Sequence, residues 1–490
     1  MRKIILALSL LLMICTAAFA NTNSLNMQTA SEIQEKIKTG DWIELSKIYG
    51  FNNGNNKVTS ELLASWWDVF HDPTMTKLIA AALENNKDMA AARANVAESR
   101  YQLGISQADL LPWLDANGSW TNSRTPSDTG GTGSASQFWS LGIDASWEID
   151  IFGGKRASVK AQRASFEAQY AVLYSTWTTV AAEVALDYIA LRTLQGQLNI
   201  ATQNVKLQQE TVDIQQSRVD AGLTDSLALK QAQYTLEQTR SEIPTIVASI
   251  ERTKNALAVL VGEVPGSLHK ELLAYRPIPK IESVSLVGIP ANTIRQRSDI
   301  REAERNFMAQ MARKKAAKAD LWPKFYLTGA IGTQAHEGSL FSGAGKTYSF
   351  LPQISWPIFH AGAITRNIKA QGAKAEHLLA VYEQTVLNAV AEVRDALSDS
   401  VQEYIRNMTL KNGLEAAQNA LELAQEKYTK GLVDFTNVID AQVALASLSN
   451  DYVISCGQIS SNAVKLFKAL GGGWKPLEEA ERALAEVEAK

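Results

Sequence analysis

The sequence is poor in cysteine and has no excess of charge of either sign. Only Cys15 and Cys456 occur among 490 residues, and because Cys15 lies within the leader, an internal disulfide framework is excluded. Lysine and arginine together number 48, against 51 aspartates and glutamates. Without a basic excess, nothing in the sequence indicates a nucleic-acid partner.

Residue patterns of metal binding and nucleophilic catalysis are missing as well. The five histidines form no HExxH motif, and no zinc-binding cysteine pair accompanies them. The sequence also lacks the nucleophile elbow of the hydrolases. It therefore predicts a protein that is not an enzyme and that holds no cofactor or metal.

Long hydrophobic runs are confined to the N-terminus. A short basic start precedes an apolar stretch over residues 4–19, and Ala18 and Ala20 at its end are the small residues that signal peptidase accepts. We therefore expect a signal peptide over 1–20, with lipidation of Cys15 as an alternative. No later stretch approaches the ~18 to 20 apolar residues of a spanning helix, so an exported chain of this kind would cross a membrane through β-strands.

The chain repeats its own landmarks at a spacing of about 210 residues. Three groups of matching residues follow the same order in both halves: Ala108–Pro112 with Ala319–Pro323, Trp147–Phe152 with Trp356–Phe359 after a two-residue gap, and Ala221–Leu223 with Lys430–Leu432. A shared offset across three landmarks is typical of a tandem duplication. The sequence therefore predicts two copies of one structural unit.

Each copy begins with two segments in which apolar and polar residues alternate. In the second segment, apolar residues from Trp139 to Ile149 alternate with polar ones from Ser140 to Asp150, and this period of two predicts β-strands. The pattern predicts strands at about 112–122, 137–150, 323–333 and 347–358. These lengths fit the ~9 to 11 residues of a tilted membrane strand; a soluble sandwich with one buried face is the alternative.

Long segments almost free of proline follow each pair of strands. They predict helices at about 155–220, 225–262 (interrupted by Pro244), 360–430 and 434–470. From Tyr170 to Val219, apolar residues recur every seven positions, as along a coiled-coil seam. A second column, formed by Ile200, Leu207 and Ile214, lies about 200° around the helix. The helix therefore needs a neighbour on two opposite sides; a coiled-coil hairpin of an adaptor or filament is the alternative.

The predicted strands are too few to form a membrane barrel within one chain. The smallest single-chain barrels use about eight strands. An open strand edge cannot lie in lipid, because its N–H and C=O groups find no water there. We therefore expect a barrel that is shared between subunits, with four strands from each chain.

Several motifs in a fixed order carry a resemblance to a known family. They are Trp67–Pro73 followed by Ala81–Asn86, Ala108–Pro112 with its copy, Trp147–Gly153, Arg297–Glu304 and Tyr428–Gly431. Over roughly residues 60–475 the chain resembles the TolC/OprM-type outer membrane efflux proteins, and most of all their NodT-type branch. The order and spacing of the motifs, rather than any one of them, make the resemblance specific.

The resemblance implies a fold and a division of the chain. The fold would be an α+β membrane channel-tunnel: a homotrimer whose twelve-strand β-barrel continues as a long α-helical barrel, with a mixed equatorial collar. A first structural repeat would occupy 61–262 and a second 296–472, joined by an equatorial linker at 263–295. Residues 21–60 and 473–490 would form an N-terminal arm and a C-terminal tail.

The resemblance also implies a location and partners. The barrel would contact the lipid of the outer membrane of a Gram-negative bacterium, with the helical tube in the periplasm. A periplasmic adaptor (membrane fusion) protein would dock on the helix turns at Gly222, Leu223, Gly431 and Leu432. An inner-membrane transporter of the RND type would drive export through this passive duct. Alternatives are an exit duct for type I protein secretion or metal export, and a periplasmic coiled-coil adaptor.

In the family that the chain resembles, acidic side chains near the helix turns ring the closed periplasmic end. Asn437 and Asp440 stand at the matching positions and share a helix face. In a trimer Asp440 would form a ring of like charges, whereas Asn437 departs from members with an acid there. Tyr428 is a candidate gate-locking aromatic. Asp225 and Asp434 follow the two turns, as gate candidates or as caps of the returning helices.

Overall fold

The computed structural model describes residues 65–124, 126, 128, 135–281, 297–336 and 345–472. The predicted signal peptide with Ala18 and Ala20, the N-terminal arm, the C-terminal tail and the part of the linker after residue 281 lie outside these residues. None of the helices in the described ranges combines the length and the apolar character needed to cross a lipid bilayer.

Both halves of the chain contain the same succession of a helix, two strands and two long helices. The first half comprises α1 (Pro73–Asn85), α2 (Lys87–Ala108), β1 (Trp113–Arg124), β2 (Ala135–Ile149), α3 (Gly154–Asp220) and α4 (Ser226–Val261). The second half comprises α5 (Ser298–Ala319), β3 (Lys324–His336), β4 (Lys346–Ser355), α6 (Ala363–Thr429) and α7 (Phe435–Ala469). Short 3-10 helices occupy Trp66–Phe70 and Ser267–His269.

Equivalent elements of the two halves are separated by constant offsets. The first elements lie 211 positions apart and the later ones 209, as their first residues show: Lys87 and Ser298, Trp113 and Lys324, Gly154 and Ala363, Ser226 and Phe435. The change from one offset to the other therefore falls between the paired strands, in the loop that connects them.

The comparison of sequence landmarks predicts a two-residue gap between the halves after Trp147. The equivalent starts of α3 and α6 show that this gap is absent. Gly153 and Gly362 precede these helices in a left-handed conformation, with φ of 77° and 79°, and they are equivalent. Phe359 therefore corresponds to Asp150 and not to Phe152. The gap is wrong because the Ile-Phe dipeptide occurs in both halves at positions that are not equivalent.

The four strands form one antiparallel sheet in the order β1-β2-β3-β4. Directly opposed residues lie on the same face of such a sheet. One face gathers apolar residues from all four strands: Leu114, Ala116, Trp120, Trp139, Leu141, Ile143, Trp147, Phe325, Leu327, Ile331, Tyr348, Phe350 and Ile354. The other gathers residues such as Asp115, Asn117, Asp144 and Gln353. The alternation in the sequence thus becomes one apolar and one polar face.

β4 ends earlier than the alternation predicts. Ser355 pairs with Lys324, the first residue of β3, so the residues that follow have no strand beside them in this sheet. Trp356 instead donates its indole N–H to the carbonyl of Leu321 at 3.1 Å. In the single chain the strand therefore stops before the expected end at about 358, because strand pairing, and not side-chain alternation, limits it.

The two longest helices give the molecule its length. α3 and α6 have 67 residues each, which corresponds to about 100 Å at ~1.5 Å per residue. α4 returns along α3 and continues through Pro244, so the interruption expected there is wrong. Proline removes one helical donor and crowds the carbonyl four positions back, but Leu236 and Ile250, which are buried on either side of it, anchor the helix.

Three separate clusters of buried side chains lie along the long helices in the described ranges, and the smallest joins Ile300 to Val386 and Ala389 of α6. The collar core is formed where α1, α3, α4, α6 and α7 meet, and includes Trp66, Tyr188, Leu191, Leu257 and Phe467. The tip core lies near the helix turns and comprises Val212, Ala228, Leu229, Ala232, Leu236, Leu421, Phe435, Val438 and Ile439.

The two apolar columns of α3 have different surroundings. Leu191 of the first column is fully buried in the collar core. Leu207 and Ile214 of the second column are 47% and 57% exposed. Towards the tip the outward column is therefore only half covered by the chain's own described residues, whereas Ile200 of the same column is partly buried.

Candidate functional site at the helix turns

The two turns between long helices share one backbone geometry. Each turn has a left-handed glycine, Gly222 with φ 70° and Gly431 with φ 71°. The next residue, Leu223 or Leu432, donates its backbone N–H to a carbonyl five positions back, in both cases at 2.9 Å. This is the Schellman motif, which satisfies helix-end carbonyls and requires a residue that tolerates positive φ. The glycine in each predicted docking turn therefore has a structural role as well.

Each turn also presents an apolar side chain at the end of its helix pair. Leu223 and Leu432 are both 69% exposed. Leu227, one turn into α4, is exposed as well, whereas the equivalent position in α7 is Thr436. At this position the first turn is the more apolar of the two.

The aspartates that follow the turns differ in their contacts. Asp225 precedes α4, and its carboxylate accepts a hydrogen bond from the backbone N–H of Leu227 at 3.0 Å, so it caps the helix. Asp434 precedes α7 without a capping bond from its side chain. Its backbone carbonyl accepts a bond from the side-chain amide of Asn437 at 3.2 Å instead.

Tyr428 joins the two helix pairs. Its hydroxyl lies 3.1 Å from the amide nitrogen of Gln215 on α3, and the guanidinium of Arg218 lies 4.8 Å from the centre of its ring. On the other side, its ring lies 5.3 Å from the ring of Phe435 at the start of α7. Tyr428, which belongs to the second half of the chain, thereby contacts residues of the first half.

Gln215 and Arg218 belong to this site but were not among the predicted residues. Gln215 is only 1% exposed. It stands three positions after Val212 of the heptad column, at a place where a coiled-coil seam carries an apolar residue. A buried amide in such a seam needs a hydrogen-bonding partner. A polar residue at an apolar heptad position is therefore the feature of the sequence that indicates a buried contact here. It does not identify the partner, because Tyr428 is distant in sequence.

The proposed acidic position lies on the exposed side of α7. Asp440 and Asn437 are both exposed and stand one helical turn apart, so they share a face. The buried neighbours Val438 and Ile439 fix this orientation by packing into the tip core. The structure thus turns Asp440 and Asn437 away from the core that holds Tyr428.

A polar seam runs from the tip towards the collar between α3 and α7. Thr211 accepts a hydrogen bond from Gln442 at 3.0 Å, and Gln197 donates to Asn450 at 2.8 Å. Between these two contacts, α3, α4 and α7 enclose a cavity of about 240 Å³ that is lined mainly by amide and hydroxyl side chains. No group of three metal-binding side chains is present in the described ranges.

Comparison with known families places this architecture. The family described as outer membrane efflux protein matches the chain over residues 78–263 and 289–472, a range that includes both helix turns and all four strands. The match agrees with the resemblance that the motifs indicate and confirms it.

Individual relatives cover most of the chain. It is 30% identical to the toluene efflux pump outer membrane protein TtgF of Pseudomonas putida, over 85% of this chain and 87% of the relative. It is also 30% identical to the cation efflux system protein CusC of Escherichia coli, over 84% of this chain and 89% of the relative.

Solved structures show the same fold. The outer-membrane channel OprN superposes with a TM-score of 0.80 at 31% identity, covering 84% of this chain and 93% of OprN. CusC superposes with a TM-score of 0.76 at 29% identity, covering 86% of this chain and 96% of CusC. The predicted channel fold is therefore confirmed.

Proposed function

The chain belongs to the outer membrane efflux protein family, and from this premise we propose that it is the passive exit duct of a tripartite efflux system. One observation carries the proposal: a sheet with one apolar face is joined directly to helices about 100 Å long. An apolar strand face suits lipid, and helices of this length reach far from the membrane. The family comprises efflux ducts, and we propose that the duct catalyses no reaction and needs no cofactor.

We propose a homotrimer as the functional unit. The sheet has four strands, and β1 and β4 lie at its outer edges. Edge strands with an apolar face cannot remain unpaired in lipid. Three chains would close these edges into a shared barrel of twelve strands, and their long helices would form the wall of the periplasmic tube.

The two helix turns are the proposed contact with a periplasmic adaptor protein. Leu223 and Leu432 extend from the glycine turns into solvent, and Gly222 and Gly431 fix the backbone from which they project. Exposed apolar side chains on a rigid turn suit a protein partner. The adaptor would connect the duct to an inner-membrane transporter of the RND type.

The periplasmic gate is proposed at the same end of the tube. Tyr428 would hold the two helix pairs together through Gln215, and Asp440 would form a ring of three carboxylates in the trimer. Like charges in a ring favour cations and resist close approach. Asn437 would face the same space without charge. Asp434, with no capping bond, is a further gate candidate, whereas the capping bond of Asp225 supports a structural role.

The exported substrate is a separate question. The relatives include pumps named for toluene and a system named for cations, so organic solutes and metal ions are the two substrate classes to compare. Type I protein secretion is a third. The family match decides against the alternative of a periplasmic coiled-coil adaptor. A deletion strain challenged with solvents, dyes, detergents and metal salts would distinguish the substrate classes by its pattern of sensitivity.

The gate proposal is tested by single-channel recording in planar bilayers. Asp440→Ala is expected to lower cation selectivity, and Asn437→Asp, which adds a charge to the same face, is expected to raise it. Asp395→Asn on α6 removes an exposed charge about 50 Å from the turn, at ~1.5 Å per residue, and serves as the control. Unchanged selectivity in both tip variants would refute the gate role of this face.

A further inference from the structure

The two outer strands of the sheet differ from the inner strands in exposure. Every residue of β4 is exposed, and β1 is nearly as open. β2 and β3, each with a neighbour on both sides, are partly buried along most of their length. The outer strands nevertheless continue the same apolar face, with Leu114 on β1 and Ile354 on β4. Each therefore has a free edge that fits another strand.

The repeat relationship extends to the residue pairing of the strands. Leu114 pairs with Ala145 between β1 and β2. The residue 211 positions after Leu114 is Phe325, and the residue 209 positions after Ala145 is Ile354. Phe325 pairs with Ile354 between β3 and β4. Adding these offsets to the residue numbers of the β1–β2 pairs therefore gives the pairs observed between β3 and β4.

The seam between β2 and β3 joins the two halves of the chain and serves as a template for the seam between subunits. In that inner seam Ala145 pairs with Gly329. Their equivalents in the outer strands are Ile354 on β4 and Gly118 on β1. We propose that β4 of one subunit pairs antiparallel with β1 of the next in this register, with Ile354 opposite Gly118 of the partner subunit. The inference rests on the shared barrel proposed above.

The proposed register keeps the two faces of the sheet continuous. It places Trp356 opposite Ala116 of the partner subunit on the apolar face, and Ser355 opposite Asn117 of the partner subunit on the polar face. A shift by one residue would turn every side chain of one strand to the wrong face. A shift by two would preserve the faces, so only a direct measurement of register distinguishes it from the proposal.

The same register accounts for the early end of β4. β2 continues to Ile149, which pairs with Phe325. The equivalent of Ile149 is Ile358, which is 83% exposed and lies beyond the reach of β3. Opposite it the register places Leu114 of the partner subunit, so β4 would lengthen to residue 358 when the neighbouring strand is present.

One pair departs from the template. In the inner seam Gly142 pairs with Gly332, and a Cβ at Gly332 would lie 2.6 Å from the carbonyl oxygen of Leu141. The strands approach closely there because neither residue has a side chain. The equivalent residues are Leu351 and Thr121, so the seam between subunits must be wider at this point. The crosslinks below are placed away from it.

The register is tested by disulfide crosslinking of the full-length protein in outer-membrane preparations, with Cys456→Ser as background. Ile354→Cys combined with Gly118→Cys is expected to give covalent trimers on a denaturing gel after mild oxidation. Ser355→Cys with Asn117→Cys is tested in parallel, because opposed pairs alternate between closer and wider side-chain spacing. Ala145→Cys with Gly329→Cys forms the equivalent bond within one chain and reports the yield that such a pair can reach.

Pairs shifted by two residues measure the competing registers. Ile354→Cys with Ala116→Cys, or with Trp120→Cys, should crosslink at least about fivefold less, because Cβ atoms about 7 Å apart exceed the ~3.5–4.5 Å span of a disulfide. Trimers linked mainly through a shifted pair would overturn the proposed register. An intact trimer on native gels with no crosslink, when the control within one chain forms, would overturn it too. Absence of any trimer would instead contradict the proposed function.

Discussion

Helix α3 passes through two regions that are packed in opposite ways. In the collar core its side chains Val184, Tyr188 and Leu191 are fully buried among helices and a 3-10 segment. Nearer the tip, Gln208 and Gln215 stand three positions after Val205 and Val212 of the heptad column and are buried, and Gln208 lines a cavity surrounded mainly by amides and hydroxyls. α3 thus passes from a dense apolar core to a stretch beside a polar, less filled cavity, before Val212 packs into the tip core.

This difference separates a region that holds the subunit together from one that can rearrange. Apolar packing is lost in proportion to the area that is exposed, so opening the collar core would be costly. Hydrogen bonds between side chains can be exchanged for bonds to water at a net cost of only about 1 kcal/mol each. Opening the polar seam therefore costs little, and the proposed gate lies at its end.

The strongest test of this comparison makes the same leucine-to-alanine substitution at two places along α4, one in the collar core and one in the tip core. Leu257→Ala in the collar core should lower the free energy of unfolding by about 2–5 kcal/mol, as large cavities do. Leu236→Ala in the tip core, almost equally buried, should act mainly on local opening at the turns. Thermal unfolding measures the first effect, and amide hydrogen exchange of the turn segments measures the second.

The comparison would fail if both variants lost equal global stability and showed the same exchange pattern. Val443→Ala provides a control on the tube, since this side chain is half exposed and its truncation should change neither quantity by more than a few tenths of a kcal/mol.

The contact between Tyr428 and Gln215 gives the next largest effect. Tyr428→Phe removes the hydroxyl and leaves the buried amide of Gln215 without its partner, which should cost about 1–3 kcal/mol of tip stability. We expect longer or more frequent channel openings in planar bilayers. The double variant Tyr428→Phe with Gln215→Leu removes both polar groups and should recover part of the loss. If each single variant behaved like wild type, the hydrogen bond would not hold the tip closed.

The sequence predicts the elements of the fold better than it predicts the contacts between them. Strand alternation and heptads are local patterns, and they place the apolar sheet face and the buried column of α3. The partner of Gln215 is 213 positions away, and no local pattern links the two residues. The end of β4 is also missed, because it depends on where β3 begins. The offset between the halves, corrected at Gly153 and Gly362, required the backbone conformation of these two glycines.

The two aspartates after the turns test whether the tip is uniform. Asp225→Ala removes a capping bond and should destabilise the start of α4 by about 1 kcal/mol. Asp434→Ala removes no such bond and should cost less than half as much. Hydrogen exchange at the first turn of each returning helix measures the difference. Asp225→Asn and Asp434→Asn keep a residue that can cap, so the difference should shrink, whereas a change at Asp434 as large as at Asp225 would contradict the assignment of caps.

An unfavourable charge at Asp187 in the collar gives the smallest predicted effect. Burial raises the pKa of Asp187, and the nearby carboxylate of Glu183 raises that pKa further. The folded chain therefore holds this proton more tightly than the unfolded chain does, so Asp187 costs stability at neutral pH and the cost disappears as pH falls below the ordinary aspartate range. Asp187→Asn should raise the unfolding temperature at neutral pH and leave it unchanged in acid. Asp213→Asn, an exposed position near the tip of the same helix, is the control. An equal gain at both pH values would show that the collar tolerates the charge and that the gain comes from packing.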